Sequence, residues 1–338
     1  MTVRFGLIGL GYWGPNYARI LARELPGARL VACADGREDR LALIGSQYPE
    51  VRTFADHRDL VAAVDVDAVV VATPSATHGR LALDCLQAGK HVLVEKPMAT
   101  NTADARAMVE AAAGAGRQLM VGHTFLFNPA VRRIKRYLED GDLGSPLYLH
   151  FQRTGLGPIR RDVNALWDLA PHDFSMLRYW LGGDPIEVSA RGESYLQPSL
   201  HDVVFVTLRL PGRVMASVHV SWLDPVKIRR ATLVGDRKMV VFDDVDPTEK
   251  LRVYDKGVSY QPTGNNYAEF LASVRDGDIL VPRLELREPL KEQARHFVDC
   301  ITEGRRPIAD GEDGLAVVML LERAQLALEQ ASETAVHA

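Results

Sequence analysis

Short apolar runs alternate with helical patterns in the first part of the chain. The runs Val3–Ile8, Leu30–Ala34 and Ala68–Ala72 contain few polar residues, which is typical of parallel strands buried on both faces. Helical patterns such as Thr102–Ala115 lie between runs of this kind. Because strand, helix and strand alternate with short loops, the pattern predicts an α/β Rossmann domain, a doubly wound parallel sheet, over residues 1–122.

The pattern changes after a predicted linking helix at 129–140. Apolar and polar residues then alternate, which favours a sheet with one packed and one open face. Six strands are predicted, with one helix at 168–180 among them: 147–154, 187–195, 203–210, 214–222, 229–234 and 238–243. Helices at 290–302 and 313–329 follow, with Gly304 as the stop signal between them. Residues 123–338 are therefore expected to form an α+β substrate and oligomerisation domain with a large open, mainly antiparallel sheet, whose C-terminal helices can pack back on the first domain.

The composition and net charge of the chain limit the classes of molecule that it is expected to bind. The 47% hydrophobic and 25% charged residues are ordinary for a chain that folds throughout. A formal net charge of −4 provides no general basic field, so we expect no nucleic-acid partner. The N-terminal apolar stretch is too short for a membrane span. The cysteines Cys33, Cys85 and Cys300 are far apart and form no CxxC pair, which favours a reducing, cytoplasmic location and no metal site.

A complete GxGxxG motif stands between the first strand and the first helix. It consists of Gly9, Gly11 and Gly14, with Tyr12 and Trp13 in the variable positions. Glycine permits a tight turn, a close approach of the backbone to a pyrophosphate, and contact between helix and strand. The alternative is a glycine turn without a ligand. The position after a strand favours a dinucleotide site that includes all five residues.

Asp35 follows the second strand, 24 residues after Gly11. A carboxylate at this position accepts hydrogen bonds from ribose hydroxyls and repels a 2′-phosphate, so NAD is predicted in preference to NADP. Arg37 is also predicted to contact the cofactor, and its positive charge leaves the use of NADP open. The alternative is that Asp35 only caps a turn before Gly36.

Two further loops follow strands of the same predicted sheet. Contacts with the cofactor are expected from Thr73, Pro74, Ser75 and His78 after the AVVVA strand, and from Glu95 and Lys96 of the EKP segment after HVLV. Lys96 is also a candidate for proton transfer, because an ammonium group can hydrogen-bond a reacting hydroxyl. Alternatively, Ser75 or Thr77 only caps the following helix. The alternative for Lys96 is an ordinary loop lysine without a catalytic role.

The segment WDLAPHD supplies a second candidate group. Asp168 and His172 are four residues apart and share one face of a helix. Imidazole titrates near neutral pH, so His172 is a candidate base that Asp168 orients. Pro171 is expected in the first helical turn, which would start the helix near Asp168 and leave an N-cap role for Asp168 open. Upstream polar residues are candidates for substrate contact or solvated surface groups: Arg153, Arg160, Arg161 and Asn164.

Taken together, GLGYWG, ATPSATH, EKP, GHTFLFNPAV and WDLAPHD resemble the Gfo/Idh/MocA (glucose-fructose oxidoreductase / inositol dehydrogenase) family over nearly the whole chain. The resemblance implies that Lys96, Asp168 and His172 flank a reacting alcohol, and that subunits pair through the open sheet into a dimer or tetramer. NALWDLAPHD is most similar to members that oxidise C3 of nucleotide-linked sugars. The family pattern often has Asn at position 168, which argues against a strong base role for Asp168.

The expected activity is NAD-dependent oxidation of a secondary ring hydroxyl, at C3 of a nucleotide-linked or aminoglycoside-type sugar. Two alternatives remain at this point. The enzyme can work as a keto-sugar reductase, since hydride transfer is reversible, or the chain can be a non-catalytic dinucleotide-binding sensor.

Overall fold

A computed structural model describes residues 2–262 and 270–336, with side chains outside 259–273 and 332–336. The chain divides into two compact units. The first contains Met1–Asn128 and Arg287–Glu322, and the second contains Pro129–Leu286 and Arg323–Ala338. In this division the first segment of the first unit ends at Asn128, and Arg287–Glu322 belongs to the same unit.

The first unit contains a six-stranded parallel sheet. Its strands are β1 (Val3–Ile8), β2 (Ala28–Ala34), β3 (Arg52–Phe54), β4 (Ala68–Val71), β5 (His91–Val94) and β6 (Leu119–Val121). The order β3-β2-β1-β4-β5-β6 confirms the predicted doubly wound Rossmann sheet. Strands are added to one side of β1 up to β3 and to its other side from β4 onward, and ligands of such sheets bind beside the carboxyl ends of the strands at this switch point.

The second unit contains an eight-stranded sheet. Its strands are β7 (Pro146–Thr154), β8 (Glu187–Glu193), β9 (Val203–Arg209), β10 (Met215–Ser221), β11 (Ile228–Gly235), β12 (Met239–Asp243), β13 (Leu251–Pro262) and β14 (Phe270–Leu280). They are ordered β14-β13-β12-β11-β7-β10-β9-β8, and neighbours are antiparallel except β7 and β10. The six predicted strands and the mainly antiparallel sheet are confirmed, whereas β13 and β14 were not predicted.

Nine α-helices lie in the described residues. They are α1 (Gly14–Arg19), α2 (Glu38–Gln47), α3 (His57–Val61), α4 (His78–Gln87), α5 (Thr102–Ala115), α6 (Pro129–Glu139), α7 (Ala165–Leu181), α8 (Pro289–Glu303) and α9 (Gly311–Val336). Asn101 caps α5 by accepting a hydrogen bond from the Asp104 N–H. Gly304 ends α8 with φ 68°, a left-handed conformation that suits glycine, so the predicted stop signal is confirmed.

The second sheet has one packed face and one open face. Phe151 of β7 and Val218 of β10 are register partners and are buried. Their neighbours Tyr148 and Met215 point to the opposite face and are about half exposed. The alternating sequence pattern thus separates an apolar core from an exposed sheet face.

The three cysteines are buried and free. Burial raises the pKa of Cys33 and of Cys85 to about 12, so neither thiol is a reactive nucleophile at neutral pH. In the described part of the chain, no helix combines the length and apolar character needed to cross a membrane.

Candidate active site

The glycine turn connects β1 to α1 at the carboxyl edge of the parallel sheet. Gly9 has φ 95°, and a Cβ at this position would lie 2.6 Å from the carbonyl oxygen of Ala72. A Cβ on Gly14 would overlap the carbonyl oxygen of Gly9. Around Gly11, by contrast, a Cβ would meet no heavy atom within 4 Å beyond its chain neighbours. Gly9 and Gly14 are therefore needed for the fold, whereas Gly11 leaves open space in which a pyrophosphate can approach the backbone.

Two aromatic residues of the motif lie on the surface of the same turn. Tyr12 is 85% exposed and Trp13 is 40% exposed. Their rings make an edge-to-face contact, with the ring centroids 5.4 Å apart. Exposed aromatic rings beside a nucleotide site can cover a bound ligand. Contact between these rings and the cofactor stays a prediction.

Asp35 ties the glycine turn to the end of β2. Its carboxylate accepts hydrogen bonds from the backbone N–H of Leu10 at 2.6 Å and of Arg37 at 2.9 Å. The Arg37 guanidinium forms an exposed ion pair with Asp39 at 2.6 Å. Asp35 thus has the turn-forming role that was the alternative. Each carboxylate oxygen can accept a further hydrogen bond, and a contact with a ribose stays a prediction.

His78 connects the loops after β4 and β5. The ring is 1% exposed, and its nitrogens lie 2.7 Å from the carbonyl oxygen of Pro97 and 2.9 Å from that of Thr73. The buried ring thus joins both loops and helps to position the loop of Thr73, Pro74 and Ser75, in which the Thr73 and Thr77 hydroxyls are 2.7 Å apart. Contact with the cofactor stays a prediction for Thr73, Pro74, Ser75 and His78.

Glu95 lies in a buried hydrogen-bond network beneath the EKP loop. One carboxylate oxygen accepts a hydrogen bond from the Tyr17 hydroxyl at 2.6 Å, and that hydroxyl accepts one from Gln293 at 2.8 Å. Gln293 in turn accepts a hydrogen bond from Thr124 at 3.0 Å. Burial raises the pKa of Glu95. Glu95 is 6% exposed, so its carboxylate helps to position the loop that carries Lys96, and its contact with the cofactor stays a prediction.

Lys96 follows β5 at the same edge as the glycine turn. It is half-buried between the buried residues Glu95 and Pro97, and the Lys96–Pro97 peptide bond is cis. Lys96 is thus a partly accessible ionisable residue in a loop at the sheet edge where ligands of such sheets bind. Its contact with cofactor and substrate stays a prediction.

Helix α7 begins earlier than expected. Asn164 is the N-cap, and its side-chain oxygen accepts a hydrogen bond from the Trp167 N–H at 3.2 Å. The prediction that the helix starts near Asp168 was wrong, and so was the N-cap alternative for Asp168. Pro171 lies inside the helix rather than in its first turn. Tertiary packing overrides the local penalty here, because Pro171 is buried among the core residues of α7.

Asp168 and His172 lie one turn apart on α7. Both are half-buried, while Trp167, Pro171 and Asp173 beside them are buried. One Asp168 oxygen accepts a hydrogen bond from the indole N–H of Trp222 at 3.2 Å. Trp222 directly follows β10 and was missed as a site residue from sequence; its signal was a tryptophan at the end of a strand with alternating apolar and polar residues. The arrangement brings the predicted carboxylate and imidazole to one accessible face of the helix.

The upstream candidates for substrate contact have different surroundings. Arg153 and Asp173 form a bidentate ion pair, and both side chains are 2% exposed. Asn164 also donates to Gln325 at 2.9 Å. These polar groups are therefore engaged inside the second unit, and their contact with substrate stays a prediction. Arg161 is exposed, and its role in binding substrate stays a prediction.

The residues of the first unit fit a dinucleotide. An open approach at Gly11, a carboxylate after β2 and a doubly wound strand order occur together at one sheet edge. These features define a dinucleotide-binding protein of the Rossmann class.

The chain belongs to the GFO/IDH/MocA family. Residues 3–123 match the model described as "Oxidoreductase family, NAD-binding Rossmann fold", and residues 131–241 match that of the GFO/IDH/MocA C-terminal domain. The predicted family and the predicted cofactor NAD are thereby confirmed, and the chain is an oxidoreductase.

Named relatives act on cyclitols and on a nucleotide sugar. The chain is 34% identical over 226 residues to inositol 2-dehydrogenase 2 of Saccharopolyspora erythraea, covering 65% of this chain and 67% of the relative. It is 28% identical over 346 residues to myo-inositol 2-dehydrogenase of Thermotoga maritima, covering 97% of each. Among solved structures, UDP-N-acetylglucosamine 3-dehydrogenase of Acidithiobacillus ferrooxidans has a TM-score of 0.82 at 26% identity, covering 98% of this chain and 99% of that one.

Proposed function

We propose that the protein is an NAD-dependent dehydrogenase that oxidises a secondary ring hydroxyl of a sugar or cyclitol to a ketone. The observation that carries this proposal is the shared accessible face of Asp168 and His172 on α7. A carboxylate and an imidazole on one face are groups that can hold a hydroxyl and accept its proton. The dehydrogenases named among the relatives support the same reaction class.

The cofactor site would consist of the glycine turn and the neighbouring loops. The backbone near Gly11 would contact the pyrophosphate, and Asp35 would accept hydrogen bonds from the adenosine ribose. The charged side chains after β2 favour NAD over NADP. Arg37 is paired with Asp39, and Asp35 carries a negative charge that disfavours a 2′-phosphate.

In the proposed mechanism, His172 accepts the hydroxyl proton and Lys96 hydrogen-bonds the same oxygen. NAD⁺, when bound, would supply the acceptor for the hydride that leaves the carbon, so the products would be a ketone and NADH. Asp168 orients the hydroxyl, and its existing hydrogen bond from Trp222 holds the carboxylate in place. Positioned proton transfer typically contributes about 10²–10⁴-fold to the rate.

The finer assignment of the substrate rests on the NALWDLAPHD segment and on the relatives. The segment favours C3 of a nucleotide-linked or aminoglycoside-type sugar, and one structural relative is a UDP-N-acetylglucosamine 3-dehydrogenase. The inositol dehydrogenases favour a free cyclitol. We rank the nucleotide-linked sugar first.

A substrate panel tests this function directly. Purified protein is incubated with NAD⁺ or NADP⁺ and with nucleotide sugars, cyclitols and aminoglycosides, and formation of the reduced cofactor is followed by absorbance. We expect NAD⁺ reduction with at least one nucleotide sugar, and the reverse reaction with the isolated ketone then establishes the preferred direction. NADH binding without turnover in either direction across the panel would favour a sensor and contradict the proposal.

The open face of the second sheet would pair with a second copy of the chain. Tyr148, Phe205 and Met215 are about half exposed on this face. The ring of Phe205 stacks on that of His219, with the ring centroids 4.2 Å apart. Exposed aromatic and apolar groups on adjacent strands are typical of a subunit interface. We propose a homodimer or homotetramer in the cytoplasm, where the free cysteines would remain reduced.

A further inference from the structure

Arg229 lies on the packed face of the second sheet near its end. It is the second residue of β11 and the register partner of Arg153 on β7. Side chains of register partners point to the same face. Because Arg153 is paired with Asp173 of α7, Arg229 lies on the face that α7 covers, toward the helix that carries Asp168 and His172.

The surroundings of Arg229 combine partial burial with nearby charges. The side chain is half-buried, and burial lowers its pKa, as does the neighbouring Arg153. The carboxylates of Asp244, Asp173 and Asp168 act in the opposite direction. Asp168 is therefore among the negative charges that act on the Arg229 guanidinium, although the two groups form no ion pair.

Each of these carboxylates has another partner. Asp173 binds Arg153 through two guanidinium nitrogens. Asp244 lies 3.7 Å from the Lys250 ammonium, and Asp168 accepts the hydrogen bond from Trp222. Among the residues whose side chains the structure describes, none forms a hydrogen bond or ion pair with the Arg229 guanidinium. Partly buried guanidinium groups are normally paired, because removing a charge from water is costly.

We propose that Arg229 binds an anionic group of the substrate, a carboxylate or a phosphate, and so determines which sugars the site accepts. This inference rests on the proposed dehydrogenase function and specifies its substrate class. A guanidinium group presents a planar fork of N–H donors that matches both anions. The site then has two ends: Asp168 and His172 hold the reacting hydroxyl, and Arg229 holds the anion. An inositol ring has no such anion, so the proposal distinguishes this chain from a dehydrogenase of free inositol.

Three sugars that share one ring and differ in charge test the proposal: D-glucose, D-glucuronate and D-glucose 6-phosphate. Their binding to the protein–NADH complex is measured by titrating nicotinamide fluorescence, which requires no turnover. UDP-glucose is added as a nucleotide-linked diphosphate. The variants are Arg229→Gln and Arg229→Lys. Arg230→Gln is the matched control, because Arg230 points to the opposite face of β11 and pairs with Asp243 at 2.7 Å.

We expect the wild-type protein to bind at least one anionic compound more tightly than glucose. Arg229→Gln should weaken that binding about 10- to 150-fold, the range for hydrogen bonds to a charged group, and leave glucose binding unchanged. Arg229→Lys should retain part of the affinity, because it keeps the charge without the fork. A preference for glucuronate identifies a carboxylate, and a preference for the phosphate or for UDP-glucose identifies a phosphate.

Equal binding of neutral and anionic sugars by the wild-type protein would overturn the inference. An equal loss of all ligands in Arg229→Gln would also overturn it and indicate a structural role. The dehydrogenase proposal and the Arg229 proposal can fail independently of each other. If anions bind through Arg229 but no hydroxyl compound reduces NAD⁺, only the dehydrogenase assignment is wrong. If oxidation proceeds without any dependence on charge, only the Arg229 assignment is wrong.

Discussion

Replacing Gly11 by alanine should separate cofactor binding from folding. A Cβ at this position meets no heavy atom within 4 Å, so the folded chain accommodates it, and reduced freedom of the unfolded chain stabilises the protein by about 0.4–1 kcal/mol. The same methyl group occupies the space expected for the pyrophosphate. Loss of one hydrogen bond to a charged phosphate corresponds to roughly 1.5–3 kcal/mol. The Kd for NADH should therefore rise about 10- to 150-fold.

Two measurements on the Gly11→Ala variant check this expectation: urea unfolding without cofactor and fluorescence titration with NADH. Gly14→Ala is the matched control, because a Cβ there overlaps the carbonyl oxygen of Gly9 and should lower the free energy of unfolding. If Gly11→Ala binds NADH as tightly as the wild-type protein, the glycine turn does not contact the pyrophosphate, and the cofactor assignment is refuted.

The remaining predictions concern catalysis, pH dependence and assembly. Lys96→Ala and His172→Ala should each lower turnover by about 10²–10⁴-fold with NADH affinity nearly unchanged; near-wild-type turnover in both would contradict the proton-transfer roles. Burial raises the pKa of Glu95 above its ordinary value of 4.5, so the stabilisation from this group is full below 4.5 and declines as the pH rises through the raised pKa. Glu95→Gln should remove that decline in urea unfolding measured across pH, and identical pH profiles of variant and wild type would refute the interpretation. Phe205→Glu should shift the protein toward monomer in sedimentation velocity, because it places a charge on the open face; an unchanged oligomer would exclude this part of the sheet as the interface.

Local patterns were sufficient for much of the fold. The buried apolar run of β4 and the glycine motif after β1 each depend on a few consecutive residues, and both predicted the parallel sheet correctly. The strands β7 and β10 were predicted for the same reason, since apolar and polar residues alternate along each of them.

Features that depend on distant partners could not be predicted in this way. Tyr17 donates to Glu95 and accepts from Gln293, and these residues are 78 and 276 positions away from it. Burial of Pro171 in the α7 core overrides its local preference for a first turn. Arg229 is one of two consecutive arginines of β11, and only the register of β11 against β7 places it beside Arg153.

The central claim is that Lys96 and His172 act on the same substrate hydroxyl. It is tested most directly by a crystal structure with NADH and a bound substrate or its unreactive analogue. The account predicts that the Lys96 ammonium and an imidazole nitrogen of His172 both lie about 2.6–3.2 Å from one ring oxygen substituent, whose carbon faces C4 of the nicotinamide. A complex in which either side chain points away from that oxygen would contradict the account.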